Sequence, residues 1–496
     1  MSKGPNIGFI RKEVSSKLPK WQKVDDTCEG EEAIKCKGEI YLPKPDANTD
    51  PVKNKLAYEK YKLRAVFFPV IGRTLEGLIG QVFSKPISTD FPPSFDRLEN
   101  DVDGAGTTLE QQSKQTLESV LKKGRAGLLS DFPTIADGAI VTRDQIESGR
   151  IRPRVILYQP EQIINWREMV VGGETQLSLL VLKEQKDVST DKFEIKCEPR
   201  WRVYELNESG QVEVSVWKLP AVQTGTITVV QHQGNPISNS DDYEVEIEAT
   251  AISGGNGQGL ARIPFAFVGS TNNDSTVDEP PLYPLACLNV AHYRNSADYE
   301  QSLFLAGQPH LVLAGIKETW AEKYLKEGVR LGSANGTMLN EGGTAEILQV
   351  QPNSMPMEGM THKEEQMKAI GAKLIEPSRV QQTATEAEIE ATSEASILSS
   401  IAKNVSSAYE LAFYFCSLFG EEVALEEILI DLNSEFQVMG LNAQERQEVM
   451  AAWQSGVLTW EEVREVYRRK GIATETNDDA RVKIDAAEIS LGNFEE

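Results

Sequence analysis

The sequence predicts an α+β protein, in which helical and β-rich stretches follow one another along the chain instead of alternating. Residues 56–83 and 108–129 repeat apolar side chains at the spacing of an amphipathic helix. Residues 152–267 alternate polar with apolar side chains and are rich in Val, Ile, Tyr and Trp, which favours strands. Helical spacing returns over residues 281–419, with one mixed insertion. At 496 residues, the chain is long enough for more than one domain.

The N-terminal part holds the first predicted helices. Residues 1–55 are rich in Lys, Gly, Glu and Pro without a sustained period, so we expect them to be loosely ordered. Residues 56–83 predict a helix that Pro69 and Gly72 break or kink. A second helix is predicted from Thr108 to about Leu129.

The β region is predicted to be antiparallel, because its short strands are joined by turn residues and not by helices. The strand segments are RVILYQPEQIINW, LSLLVLKEQ, RWRVYEL, VEVSVWKL and TITVVQ. A glycine cluster, GGNGQG at residues 254–259, lies inside this region. It does not open a helix after a strand, as a dinucleotide site requires, so we interpret it as a flexible turn.

The next helix is predicted to begin at Pro281 and to end near Gly307. Its apolar stripe comprises Leu282, Ala286, Val290, Tyr293, Ala297 and Phe304. Five polar residues lie off that stripe, namely Asn289, His292, Asn295, Ser296 and Glu300. Residues 308–358 predict a mixed insertion with two short strands, and residues 362–374 are helical again.

One very long helix is the most informative prediction. Thr383 and Glu386 have the spacing of a capping box, and apolar residues recur at helical spacing from Ile397 to Phe419, before Gly420. A helix from Thr383 to Phe419 would be roughly 55 Å long at about 1.5 Å per residue. Compact domains rarely contain such a helix, whereas a large assembly does.

The C-terminal end is predicted to hold a strand, EEILIDLNSEF, and two short helices that begin at Asn442 and Thr459. Residues 421–496 contain 18 Asp and Glu against 7 Lys and Arg, and the whole chain has a formal net charge of −24. A protein that grips DNA through its phosphates requires a basic stripe, so tight non-specific DNA binding is not expected. The acidic surface either serves solubility or lets a duplex pass without adhering.

Composition excludes several classes of protein. The five cysteines are scattered and lack zinc-site spacing, which favours a reducing environment. The N-terminus has no apolar signal core, and no run reaches the roughly 18–20 apolar residues of a membrane span. We therefore expect a soluble protein that is made in the cytoplasm.

No motif for catalysis is present. The sequence lacks GxxxxGK[ST], HExxH and GxSxG. His362 with Glu364 and Glu365 is interpreted as a solvated helical face and not as a metal site. The polar residues of the 281–306 helix are interpreted as a hydrogen-bonded interface and not as an active site. We expect no enzymatic activity, no cofactor and no metal.

Four segments, taken in their order and spacing, resemble one known family. They are RTLEGLIGQVFSKP at residues 73–86, the stretch 278–315, TATEA at residues 383–387, and the stretch 453–471. The family is the portal proteins of tailed bacteriophages. The first segment resembles their N-terminal helix, and the second resembles their first stem helix with the start of the clip. The third resembles the start of the long helix behind the tunnel loop, and the fourth resembles the C-terminal helices near the crown. Portal proteins form the ring at one capsid vertex through which DNA is packaged and ejected. The resemblance covers about residues 56–471.

Two features depart from the portal pattern. Ala297 separates Ser296 from Asp298, and the C-terminal end is short. With these departures, the resemblance implies a subunit with an α/β wing, a two-helix stem, a small α/β clip, a long helix behind a tunnel loop and a short helical crown. The implied ranges are 1–280 for the wing, 281–306 for stem helix 1, 307–358 for the clip, 359–377 for stem helix 2, 378–440 for the tunnel loop with the long helix and strand, and 441–496 for the crown.

The resemblance also implies partners and a location. The chain would form a homo-oligomeric ring of twelve copies at the portal vertex of a virion, after assembly in the host cytoplasm. The ring would bind the terminase large subunit, head–tail adaptor and tail proteins, and capsid and scaffold proteins. Double-stranded DNA would pass through it without tight binding, and no membrane would be involved.

The implied sites are a tunnel loop and a stem interface. Ser378, Arg379, Gln381 and Gln382 would face DNA, unless they form an ordinary exposed loop. Asn289, His292, Asn295, Ser296, Ala297 and Glu300 would lie between subunits, so Ala297→Arg would disrupt the ring and leave the subunit folded. The alternative function is a non-catalytic oligomeric scaffolding or binding protein whose β region recognises a protein ligand.

Overall fold

The chain divides into two compact units, Met1–Leu432 and Asn433–Glu496. The fold is α+β, as predicted. The computed structural model describes residues 6–45, 51–132, 152–220, 243–255, 257–307, 310–324, 339, 341–348, 354–374, 396–420, 422–434, 449–453, 455–469, 477 and 480–481.

Two helices, α1 (Lys12–Glu29) and α2 (Glu31–Lys37), lie where a loosely ordered arm was predicted. That prediction is wrong for this segment. Val14 and Trp21 of α1 are buried and belong to an apolar cluster with residues of the β region, such as Trp166 and Phe265. Their seven-residue separation is a helical period, which the surrounding lysines and Pro19 obscure in the sequence.

The predicted break at Pro69 is confirmed. Helix α3 spans Pro51–Arg64 and helix α4 spans Val70–Val82, with Pro69 immediately before α4. Proline is well tolerated at the start of a helix and disfavoured in its interior, since it lacks the backbone N–H that an interior residue donates. A short helix, α5 (Asp96–Asn100), follows after the strand β1 (Ser88–Asp90).

Helix α6 (Leu109–Lys123) ends earlier than predicted. Thr108 and Gln111 form a capping box at its start, and Gly124, with φ +77°, ends it in the left-handed conformation. Residues 125–129 were predicted to continue the helix, and instead they belong to the strand β2 (Arg125–Asp131).

The predicted antiparallel β region is confirmed in two sheets. Strand β2 lies between β3 (Arg154–Tyr158) and β9 (Phe265–Gly269). The other five strands form a meander in chain order, in which every neighbouring pair is antiparallel. They are β4 (Ile163–Val171), β5 (Glu174–Asp187), β6 (Cys197–Leu206), β7 (Val212–Lys218) and β8 (Glu244–Ala251).

Glycine chemistry sets the tightest turn of the meander. Gly172 and Gly173 connect β4 to β5, and their φ values are +62° and +93°. Positive φ at both central residues is the property of the two-residue hairpin turn whose twist matches that of its strands. The TITVVQ segment lies outside the described residues.

A buried cation lies between the two sheets and the N-terminal segment. The Arg125 guanidinium stacks on the rings of Trp166 and Phe267, with its carbon 4.2 Å and 4.1 Å from the ring centroids. None of its three nitrogens has a hydrogen-bond partner among the described residues. Burial lowers the pKa of Arg125 to about 9.

Replacing Arg125 with methionine should therefore raise the free energy of unfolding, by about 1–4 kcal/mol. Each stacked ring stabilises the cation by about 2 kcal/mol. The free energy of desolvating a guanidinium whose N–H groups are unpaired is larger than the stabilisation from both rings. The measurement is urea unfolding, with Arg262→Met as the control. Arg262 is half exposed in a surface ion pair with Glu174, so its replacement should matter little. A loss of stability in Arg125→Met would show that the cation supports the core.

Two helices enclose a small insertion, in the order that the sequence predicts. Helix α7 spans Tyr283–Ala306 and helix α9 spans Met355–Lys373. Between them lie β10 (His310–Ala314), helix α8 (Glu318–Tyr324) and β11 (Thr344–Leu348). Strands β10 and β11 pair antiparallel over their full length.

Helix α10 (Ile397–Ser417) begins later than the predicted long helix. Ser396 is its N-cap, with ψ 159°, and its Oγ accepts a hydrogen bond from the Ser399 N–H at 3.1 Å. A helix that runs unbroken from Thr383 to Phe419 is therefore wrong, because the backbone of Ser396 is extended. Thr383 and Glu386 lie outside the described residues. Helix α10 has 21 residues, which corresponds to roughly 30 Å.

Helix α10 packs against α6 and the three-stranded sheet, and a short strand follows it. Strand β12 (Leu429–Asp431) pairs antiparallel with β1, which confirms part of the predicted EEILIDLNSEF strand. In the second unit, helix α11 (Trp460–Arg469) begins at a capping box between Thr459 and Glu462, as predicted. Residues 449–453 are also helical, whereas Asn442 lies outside the described residues.

The GGNGQG segment is a turn, as predicted, and hydrogen bonds hold it in place. The Gly254 N–H donates to the Gln258 carbonyl at 2.8 Å, and the Gly255 N–H donates to the Leu418 carbonyl at 2.9 Å. A Cβ at Gly255 would lie 2.3 Å from the carbonyl oxygen of Gly420. Only glycine allows the turn to approach the end of α10 this closely.

Replacing Gly255 with alanine should lower the free energy of unfolding by about 1–3 kcal/mol, because the contact is with backbone that cannot rotate away. Gly77→Ala is the matched control. Gly77 lies inside α4, where an added Cβ would meet nothing within 4 Å, so alanine should stabilise the helix by about 0.5–1 kcal/mol. Urea unfolding shows whether each variant is less or more stable than the natural chain. Equal changes in the two variants would contradict the close approach of Gly255 to Gly420.

Candidate assembly interface

Helices α7 and α9 form an antiparallel pair. His292 Nε2 lies 3.3 Å from Glu364 Oε1, and a Cβ at Gly359 would lie 2.8 Å from Asn295 Nδ2. Residue numbers therefore rise along α7 as they fall along α9. The small Gly359 lets the helices approach at this point. The β10–β11 hairpin connects the two helices at their far end.

The other side of α7 is covered by α3 and the segment after it. Tyr61 donates a hydrogen bond from its hydroxyl to Asp298 Oδ1 at 2.6 Å. Asn289 Nδ2 donates to the Phe68 carbonyl at 2.8 Å, and Ser296 Oγ donates to the Val66 carbonyl at 2.6 Å. The bonds from Asn289 and Ser296 satisfy backbone carbonyls that the break before α4 removes from helical pairing. Segment 65–69 is thereby fixed along α7.

Four of the six predicted interface residues lie inside the subunit. Asn289, His292, Ser296 and Ala297 are buried by contacts within the chain. Ala297 belongs to an apolar cluster with Tyr58, Tyr61 and Tyr293, among others. The interpretation that these four side chains face a neighbouring subunit is therefore wrong. One side of α7 is covered by α3 and segment 65–69, and another side is covered by α9. Asn295 and Glu300 are half-buried.

The predicted DNA-facing residues cannot be compared with the fold. Ser378, Arg379, Gln381 and Gln382 lie outside the described residues. Their role in a tunnel loop stays a prediction.

The sequence interpretation missed an exposed apolar surface at the far end of the pair. It comprises Leu303, Phe304 and Leu305 of α7, Val312 of β10, and Met357 of α9. Arg64 stacks on the Phe304 ring at 4.2 Å and donates a hydrogen bond to Gln301. Three consecutive apolar residues cannot all lie on one face of a helix. The run Leu303–Leu305 in the sequence therefore indicates that α7 has apolar residues outside its main apolar stripe.

Two of the cysteines that the structure describes are held in their thiol form. Burial raises the pKa of both Cys28 and Cys416 to about 12, so neither thiol is an activated nucleophile. No cluster of His, Cys, Asp and Glu suited to a metal ion occurs among the described residues. Within the same residues, no helix is both long and apolar enough to cross a bilayer.

Two cavities of about 270 Å³ are present in the described structure. One is lined by polar residues of α6, including Lys122 and Lys123, which form ion pairs with Asp25. The other lies where α4 meets α9 and is lined by Phe68, Arg73 and neighbouring residues. In the first cavity, the Ser119 hydroxyl is hydrogen-bonded to the Arg125 carbonyl and to Gln159 Oε1.

The two helices lie in a segment that matches a known family model. Residues 281–419, which begin just before α7, match a family model described as "Domain of unknown function (DUF4055)". No curated protein matches the chain.

The solved structures that contain similar chains include three from gene transfer agent particles. One is described as "Virion of native gene transfer agent (GTA) particle", at 12% identity and a TM-score of 0.38, covering 80% of this chain and 89% of that chain. The second, "Neck of empty GTA particle computed with C6 symmetry", has 12% identity and a TM-score of 0.38, with coverage of 82% and 90%. The third, "Neck of native GTA particle computed with C12 symmetry", has 13% identity and a TM-score of 0.38, with coverage of 80% and 89%.

Proposed function

We propose that this chain is the subunit of a portal ring at the capsid vertex of a tailed phage or phage-like particle. The ring serves as a conduit for DNA packaging and ejection. One observation supports this function above the others: α7 and α9 form an antiparallel pair whose far end carries the β10–β11 hairpin and α8. This is the stem–clip–stem order that the sequence resemblance implies for the same residues.

The surface of the pair suits assembly. Helix α7 has 24 residues, which corresponds to roughly 36 Å, and its last turn exposes Leu303, Phe304 and Leu305. Contiguous exposed apolar residues on a soluble protein mark a surface that binds another protein. A closed ring requires each subunit to offer two different surfaces, one to each neighbour. In the proposed ring, the two-helix stem supplies one of them.

The charge suits a conduit. A net charge of −24 disfavours the phosphate contacts and counterion release that give tight DNA binding. A duplex that must move through a ring requires this lack of adhesion. In the proposed function, Ser378, Arg379, Gln381 and Gln382 form the few polar contacts of the tunnel loop.

The proposed subunit has no catalytic activity of its own. The terminase large subunit supplies the ATP-driven movement of DNA, and the clip supplies a docking platform for that motor and later for head–tail adaptor and tail proteins. Capsid and scaffold proteins hold the ring at the vertex of the virion.

Sedimentation velocity and native mass measurement, combined with binding of a labelled duplex, test this function. We expect particles of about twelve subunits that bind the duplex with a Kd weaker than about 10⁻⁶ M at physiological salt. The control is a basic protein whose affinity for the same duplex is known, measured under the same conditions. A monomer or dimer at every concentration would favour a scaffolding or ligand-binding protein, and tight duplex binding would exclude a conduit.

A further inference from the structure

Helix α3 has two opposite faces of different character. Tyr58 and Tyr61 are buried on the side of α7, whereas Leu56, Lys60 and Leu63 lie on the side away from it. Leu63 is 76% exposed. The helix carries five basic residues and one acidic residue in a chain that is strongly acidic overall. Its outer face is therefore apolar and cationic.

Helix α9 also has two opposite faces. Met367 is buried, whereas Glu358 and Glu365 lie on the exposed side directly opposite, and Met357, beside them, is 53% exposed. Neither Glu365 on α9 nor Lys60 on α3 forms an ion pair with any residue that the structure describes. The first half of α9 therefore offers an acidic and apolar outer face.

These two outer faces flank α7 on opposite sides. On a helix that turns about 100° per residue, the positions that meet α3 (Tyr293, Ala297 and Asp298) lie roughly opposite those that meet α9 (His292 and Asn295). The outer faces of α3 and α9 consequently point away from each other. Such an arrangement suits a head-to-tail contact between copies and not a two-fold one.

The two faces also lie at the same height along α7. Tyr61 contacts Asp298, which places Lys60 and Leu63 near the last two turns of α7. Gly359 lies beside Asn295, which places Met357 and Glu358 within about 3 Å of the level of Asn295 along α7, whereas Glu365 lies about 9 Å away, near the level of His292. In a ring whose axis runs along the stem, neighbouring copies sit at equal height, so these are the surfaces that meet.

We propose that the outer face of α3 in one copy packs against the exposed face of α9 in the next copy, with Lys60 nearest Glu358, Glu365 two turns further along the same face, and Leu63 facing Met357. The occupant of each face is thus a second copy of this chain. Charge complementarity fixes the order of neighbours and speeds their encounter. This inference rests on the proposed ring and names the surfaces that close it.

Charge reversal tests the pairing. Lys60→Glu places like charges together, and so does Glu358→Lys combined with Glu365→Lys; each should raise the protein concentration for half-maximal ring formation at least tenfold. All three substituted positions are exposed, so circular dichroism and the thermal midpoint of the unassembled chain should match the natural sequence. Combining the three substitutions should restore assembly to within about threefold. Mixing the two reversed proteins in equal amounts should also restore rings, because alternating copies then pair an acidic face with a basic face at every contact.

A second experiment measures proximity without charge. Leu63→Cys and Met357→Cys are combined after the exposed Cys36 and Cys197 are changed to serine, and a short bis-maleimide is added to the purified protein. We expect a ladder of cross-linked species up to the full ring, whereas each single cysteine variant gives none beyond a dimer.

The outcomes separate this inference from the proposed function. If the natural chain forms no rings, the proposed ring fails and the inference with it. If it forms rings but reversal of Lys60 has no effect, or if the triple variant is not restored and no ladder forms, α3 meets something other than α9 and the inference alone is wrong.

Discussion

Replacing Phe413 with alanine should lower the free energy of unfolding by about 3–5 kcal/mol. Phe413 lies in the C-terminal part of α10 and is 0% exposed. Its ring centroid lies 5.5 Å from that of Phe95 and 5.7 Å from that of Phe91. Alanine removes these ring contacts and leaves a cavity that three elements surround, so relaxation can fill little of it. The measurement is urea unfolding of the unassembled chain.

Phe193→Ala is the matched control for this substitution. Phe193 is 85% exposed, so the same change of side chain should alter stability by no more than about 0.5 kcal/mol. A loss below about 1 kcal/mol in Phe413→Ala would mean that α10 does not form the core described above.

Replacing Ala297 with arginine should destabilise the subunit itself by more than about 4 kcal/mol. Ala297 is 0% exposed and packs in the cluster formed by α2, α3 and α7, where an arginine would have to displace packed side chains and bury its charge. The sequence interpretation expected this variant to stay folded and to lose only ring assembly. The structure reverses that expectation, because the contact that Ala297 makes is internal.

The control is Ala369→Arg, which introduces the same side chain at an exposed position of α9. We expect its thermal midpoint to match that of the natural chain. The two variants are compared by near-ultraviolet circular dichroism and thermal unfolding. A folded Ala297→Arg subunit with an unchanged midpoint would show that this side of α7 opens to a neighbour.

Local signals in the sequence predicted much of the fold. Alternation of apolar residues predicted the antiparallel β region, since a half-buried strand requires it, and Pro69 predicted the break between α3 and α4. The order of helix, small insertion and helix over residues 281–374 was also predicted. Each of these features depends on residues that are close in sequence.

Competing local signals account for the errors in element bounds. Ser396 lies inside a stretch whose apolar residues have helical spacing in the sequence, and its hydroxyl caps the helix that begins at Ile397. Gly124 ends α6 before a sequence that is equally compatible with helix or strand, and the neighbouring strands decide the outcome. Lysines around Val14 and Trp21 concealed the periodicity of α1.

The candidate interface could not be predicted in the same way, because its cover comes from distant residues. Asn289 and Ser296 are polar and lie off the apolar stripe of α7, which suggested an exposed face. They bind carbonyls of segment 65–69, more than 200 residues away in sequence, and are thereby buried. Periodicity shows which side of a helix is polar but not whether another part of the same chain satisfies it.

The most direct test of the proposed ring is cryo-electron microscopy of the purified full-length chain over a range of concentrations. We expect closed rings of about twelve copies, with the α7–α9 pairs arranged around a central channel wide enough for a duplex and the β10–β11 hairpins together at one end. Particles that remain single subunits or dimers at every concentration, or rings in which these pairs lie on the outer rim, would contradict it.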